Sequence, residues 1–97
     1  MIHIFIFYAF SVNAVKIRLF GDRDFIELDR SELGKTYEDF LSVLAAELRI
    51  KQNEITCVRK LPDVIVRNDE DLVRILPGHR LEVETLTSKL IKFCIEK

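Results

Sequence analysis

Residues 34–54 read GKTYEDFLSVLAAELRIKQNE. Tyr37, Phe40, Leu41, Leu44, Ala45 and Leu48 recur at intervals of three and four, which places them along one stripe of a helix. Thr36 stands where an N-cap belongs, and Asp39 follows at the capping-box position. Glu38 and Asp39 also suit the positive end of the helix dipole. The polar run Lys51, Gln52, Asn53 ends the pattern, so a helix is expected to close near Arg49. A stripe of that size needs an apolar surface to cover it.

The flanking segments supply strands. In AVKIRLFGDRDFIELD, Val15, Ile17 and Leu19 alternate with Lys16 and Arg18, and Ile26 and Leu28 alternate with Glu27 and Asp29. Between them, GDRD offers a turn in which Gly21 can take positive φ, so the two strands read as a hairpin. After the helix, EITCVRKLP reads as a third strand. Its alternation slips near Cys57 and Val58, as a bulge would make it do, and Pro62 closes it. DVIVRN is a short fourth strand. DEDLVRIL is a single helical turn with Leu72, Ile75 and Leu76 inward, PGHR is a turn, and LEVETL is a fifth strand with Glu82 and Glu84 outward. Strand, strand, long helix, strand, short strand, helical turn, strand is the order of an α+β β-grasp, or ubiquitin-like, fold. The sequence thus predicts a mixed sheet of four to five strands packed by one amphipathic helix. A ferredoxin-like arrangement would need a second long helix, and residues 69–76 are too few for one.

At 97 residues the chain has room for one modest core. Its 48% hydrophobic and 32% charged content is a globular balance. A net charge of -1 gives neither nucleic acid nor an anionic membrane an electrostatic hold. Cys57 and Cys94 are too few for a disulfide scaffold and read as reduced thiols of a cytoplasmic, or nuclear, protein. With His3 and His79 they show no paired metal-ligand spacing, so neither metal nor other cofactor is expected. Cys57 is expected to be buried and inert, and His79 to be a solvated turn residue. No nucleophile–base pair and no Gly-rich phosphate loop is recognisable, so the chain reads as a non-enzymatic module.

The phrases DFIELDRSEL, TYEDFLSVLAAEL, VRKLPDVIVRNDEDLVRI and LEVETL, in this order over residues 15–86, resemble the C-terminal domain of the family of ankyrin repeat domain-containing protein forty. The approach FIFYAFSVN is similar as well, whereas no ankyrin repeats accompany the domain here. The resemblance implies a β-grasp interaction domain and brings no catalytic residue with it. A more distant likeness joins VIVRNDEDLVRIL to the acidic turn of Phox/Bem-one interaction domains. It implies head-to-tail assembly, with Asp69, Glu70 and Asp71 as the acidic contact and Lys16 as the base. Only Asp63 stands where that family carries further acids. A conjugated modifier is not expected, because no glycine follows Gly78.

Two candidate contact surfaces emerge, both for another protein. One is the solvent face of the sheet, carrying Lys16, Arg18, Arg59 and Arg67. Arginine suits interfaces, and the acids Glu27, Asp29, Glu82 and Glu84 dilute any appeal to nucleic acid. The other is MIHIFIFYAF, residues 1–10. It is too short to span a membrane, lacks a basic leader, and is rich in strand formers. Residues 1–14 therefore read as an apolar extra strand or arm, through which Ile4, Ile6 and Tyr8 join the chain's own sheet or mediate self-association. The alternative is a targeting signal on a small secreted or membrane-associated protein. Residues 15–86 form the domain and residues 87–97 a tail.

Overall fold

The computed structural model describes residues 13–87. The expectations for Ile4, Ile6 and Tyr8 and for the tail beyond Thr87, Cys94 included, lie outside the described residues.

Strand β1 (Ala14–Leu19) turns through Gly21, whose φ is 95°, into β2 (Ile26–Asp29). The two pair antiparallel, with Val15 opposite Leu28 and Ile17 opposite Ile26. Asp29 then caps a 3-10 turn (Arg30–Leu33) by accepting from the Ser31 N–H at 2.9 Å. Gly34 follows at a φ of 86°, and a Cβ there would lie 2.9 Å from the Asp39 Cβ. Only glycine lets the chain pass this close to the next helix.

Helix α1 (Tyr37–Leu48) begins as its sequence predicts, with Thr36 Oγ1 accepting from the Asp39 N–H at 3.1 Å. Its other end closes by a Schellman pattern. The N–H of Ile50 donates to Ala45 at 3.0 Å, and that of Arg49 to Ala46 at 3.3 Å. This pattern forces Arg49 into the left-handed region at φ 59° and ψ 44°. Glycine usually takes that place.

A second 3-10 turn (Gln52–Glu54) leads to β3 (Ile55–Lys60), then β4 (Val64–Val66), a short helix α2 (Asp69–Val73) capped by Asn68, and β5 (Arg80–Thr85). The register between β3 and β5 slips between Ile55 and Cys57, one residue before the expected bulge. The sheet has five strands in the order β2-β1-β5-β3-β4. The last strand therefore lies at the centre, parallel to the first and antiparallel to β3. The mixed sheet with one long helix across it is the predicted α+β β-grasp.

The core lies between the two layers. Phe40 and Leu44 of α1 meet Val15 and Ile17 of β1, Val58 of β3, and Leu81 and Val83 of β5, all 0% exposed. Leu33, Leu72 and Ile75 close its end. Three expectations are corrected here. Ile26 is 42% exposed, because β2 is an edge strand with no described neighbour on its far side. Leu76 is 58% exposed, because α2 ends at Val73 and the chain has left the helical path before Leu76. Glu84, expected to be outward and solvated, is only 9% exposed, because β5 is central and the arms of its neighbours cover it.

Arg49 gives this fold a removable strain. Arg49→Gly is expected to stabilise the domain by about 0.5–1 kcal/mol, the left-handed cost less the extra entropy of an unfolded glycine. Urea titration would measure it. An unchanged or lower midpoint would contradict the strain.

Candidate functional site

The outer face of the sheet is built by register. Arg18 pairs with Glu82, Glu82 with Arg59, and Arg59 with Ile65, so these four side chains share one row across β1, β5, β3 and β4. The neighbouring row runs from Glu27 through Lys16 to Arg80. The pairings are then tightened by contacts. Arg18 Nε donates to Glu82 Oε2 at 3.1 Å, and its Nη2 lies 3.0 Å from the same oxygen in an ion pair. Arg59 reaches diagonally to Glu84 at 3.6 Å. The loop before β2 lays the Phe25 ring against the Arg18 guanidinium, 4.4 Å from the centroid, with Arg80 at 5.9 Å. Both distances are within the range of a cation–π attraction. Each arginine of the ion pairs keeps a quarter of its side chain exposed, while the glutamates keep about an eighth or less. The result is a half-covered ladder of alternating charge with an aromatic at one wing and the exposed Ile65 at the other.

Lys16, Arg18 and Arg59 are thus brought together on one face, as the strand pattern predicts. Arg67 is not part of it. It lies past β4, where its backbone N–H and its Nε–H both donate to Asp71 Oδ2, at 3.0 and 3.2 Å. Phe25 belongs to the surface and is missed by sequence reading, which places the two glutamates outward without showing that they hold the arginines. Alternation marks a residue as outward, but only register shows which outward residues meet.

The acidic turn has structural duties. Asp69 Oδ1 accepts from the backbone N–H of Tyr37 at 2.6 Å and so serves as an added cap for the first turn of α1. Asp71 anchors Arg67. Its carboxyl is held below the usual carboxylate range, chiefly by the backbone bond from Arg67, with the charges of Arg67 and Arg74 assisting. Of the acids expected to contact a partner, Asp69 and Glu70 are exposed and line a groove of about 470 Å³ together with Tyr37, Arg67 and Asn68. The Tyr37 hydroxyl donates to the Val66 carbonyl at 3.2 Å, tying α1 to β4, and burial pushes this phenol up from its ordinary value.

His79 is not a merely solvated turn residue. Its Nδ1 accepts from the Leu76 N–H at 2.9 Å, which requires that nitrogen to be unprotonated. Partial burial lowers its pKa, and the positive charge of Lys60 adds to the effect. Arg30, unremarkable in sequence, donates to the carbonyls of Ile75 at 2.6 Å and Leu72 at 3.0 Å, and so stitches the 3-10 turn to α2. Cys57 is half-buried rather than enclosed. Among the described residues no group of His, Cys, Asp and Glu is arranged to hold a metal ion, and no helix is long and apolar enough to cross a membrane.

The hairpin, the helix across the sheet and the parallel pairing of first with last strand define a ubiquitin-like domain. Comparison with known proteins narrows the class. Residues 15–86 match the model of the ANKRD40 ubiquitin-like domain, and the chain belongs to that family. It is 37% identical over 70 residues to human ankyrin repeat domain-containing protein 40 and 38% identical over 69 residues to the mouse protein, covering 70% and 69% of this chain. The matched part is 18% of either relative's length, so this chain corresponds to a small share of those proteins. A human putative ANKRD40 C-terminal-like protein is 33% identical over 70 residues, which is 72% of this chain and 61% of that protein. No solved structure matches.

Two outcomes follow for the acidic turn and the imidazole. Asp69→Ala should lower stability by about 1 kcal/mol, as loss of a cap does, whereas Glu70→Ala should stay within about 0.5 kcal/mol of the parent in chemical denaturation. Equal effects would refute the cap. For His79, the folded value lies below the unfolded 6.5, so the unfolded chain binds the proton more readily. Its contribution is therefore full above pH 6.5 and is lost as pH falls through the folded value. Melting temperature between pH 7 and 5 should fall less steeply in His79→Gln than in the parent, and parallel slopes would exclude the effect.

Proposed function

We propose that the chain is a non-catalytic docking module that recognises another protein through the outer face of its sheet. The observation that carries this reading is the ladder Arg18–Glu82–Arg59 with Glu84. Long arginine arms ordinarily lose rotamer freedom when a partner immobilises them. Here the carboxylates of the central strand already hold both guanidiniums, so much of that loss is met in folding. The exposed parts still offer donors, and Phe25 and Ile65 add apolar area at either wing. Arginine and aromatic residues are the types that concentrate binding energy at interfaces.

The alternation of sign also bears on the partner's chemistry. A phosphate backbone is gripped by bases in series. This row interposes Glu82 between Arg18 and Arg59, and Glu27 lies beside Lys16. A protein surface with its own alternating charges is the better complement, and register then depends on matching both signs. Charge-driven head-to-tail assembly through the acidic turn is the poorer reading, since Asp69 and Asp71 are already engaged by their own chain. The family relationship supports an interaction module of ubiquitin-like type, and the reading extends it to a particular face.

Lys16→Glu combined with Ile65→Asp tests the proposal. Both side chains are exposed and outside the ion pairs, so thermal stability should stay close to the parent. Quantitative affinity capture should show proteins held by the parent and lost by the double variant, yet retained by Glu70→Lys on the other side of the molecule. Capture indifferent to the double substitution would place the interface elsewhere.

A further inference from the structure

A second surface lies at the end of the sheet where β1 begins. A groove of about 410 Å³ runs between the 3-10 turn and α2, lined by Arg30, Ser31, Gly34, Lys35, Leu72 and Val73. Beside it Val73 is 70% exposed and Leu76 58% exposed, the first and third most exposed of the large apolar side chains of the described residues. Gly34 contributes no side chain to the groove's lining. The Arg30 guanidinium in that lining is held in place by donating to the carbonyls of Leu72 and Ile75.

We propose that this groove receives residues 2–10 of the same chain, whose apolar side chains cover Val73 and Leu76. The exit of the chain supports this occupant. The Asn13 carbonyl accepts from the backbone N–H of Arg30 at 2.9 Å, so residue 13 itself lies one hydrogen bond away from a wall of the groove. The Ala14 carbonyl accepts from the Gly78 N–H at 2.8 Å, which brings the turn that carries Leu76 to the same corner. Twelve residues could reach tens of ångströms at roughly 3.3 Å each. The groove is at the very root of that reach, so effective concentration favours the chain's own segment over any equally apolar competitor.

Strand polarity makes the other end of the chain the more distant occupant. β5 runs parallel to β1, beginning with Arg80 opposite Lys16 and passing Val83 opposite Leu19. It therefore ends, at Thr85, on the opposite side of the sheet from the groove. Composition agrees with the assignment. Residues 1–10 carry no acidic, lysine or arginine side chain, whereas residues 88–97 carry Lys89, Lys92, Glu96 and Lys97.

Full-length protein with labelled Val and Leu methyl groups provides the test. Nuclear Overhauser contacts are expected from the methyls of Val73 and Leu76 to ring protons of Phe5, Phe7 or Tyr8, unchanged on serial dilution. In full-length Ile4→Asp/Ile6→Asp the contacts should disappear and the Val73 and Leu76 resonances should shift, while the methyls of Val15 and Val83 in the core stay in place. Val73→Asp, at an exposed position that folding does not need, should release the segment equally and speed proteolysis within residues 1–12 several-fold. Absence of such contacts in the parent protein would overturn the proposal. So would contacts that vanish on dilution or appear between differently labelled molecules, which would assign the groove to a second copy.

Discussion

The apolar stripe of α1 has nowhere to go except onto the sheet, and that burial governs the rest of the domain. Phe40 and Leu44 are fully enclosed against β1, β3 and β5, three strands that are far apart in sequence. Each such side chain contributes roughly 1.5–3 kcal/mol on removal from water. The same contact sets which face of every strand is inward, because a slip of one residue would turn Val15, Val58, Leu81 and Val83 to solvent together. The outer face is therefore a by-product of the core. Arg18, Glu82 and Arg59 form a row because their sequence neighbours Ile17, Leu81 and Val58 are held beneath α1.

Much of this arrangement is legible from residue order. Period-two runs mark the strands, the three-and-four spacing of Tyr37, Phe40 and Leu44 marks the helix, and Thr36 marks its start. Local chemistry makes these signals, so a local reading finds them. The parts that escape it are of two kinds. Some depend on partners remote in sequence: Asp69 capping the helix at Tyr37, Arg30 bonding to Leu72 and Ile75, and glutamates of β5 holding arginines of β1 and β3. Others contradict a residue's usual habit. Arg49 occupies a backbone region where glycine is the ordinary occupant, and nothing in its neighbours announces it. Leu76 is apolar yet exposed, and the periodicity that places it inside assumes a helix longer than the one formed.

The acidic turn shows how a motif-like pattern can be absorbed by structure. Three successive acids suggest a contact surface. In the folded chain Asp69 and Asp71 each accept from backbone N–H groups, one securing α1 and the other the segment after β4. Their charge is thereby matched close to home, which leaves the sheet face as the place where fixed, partly exposed charges of both signs are presented outward. The division is physically sensible. One side of the domain is tied to itself by short side chains, and the other displays long ones already held in position.

The parallel pairing of β1 with β5 also has a mechanical meaning. These are the first and last strands of the described chain, they lie side by side, and they run in the same direction. Tension applied through the two chain ends would pull β1 one way and β5 the other, along their length. The hydrogen bonds between them would then share the load at once, rather than opening one after another as in a peeled hairpin. Carried within a longer polypeptide under strain, a domain wired in this way would resist stretching far better than its modest size suggests.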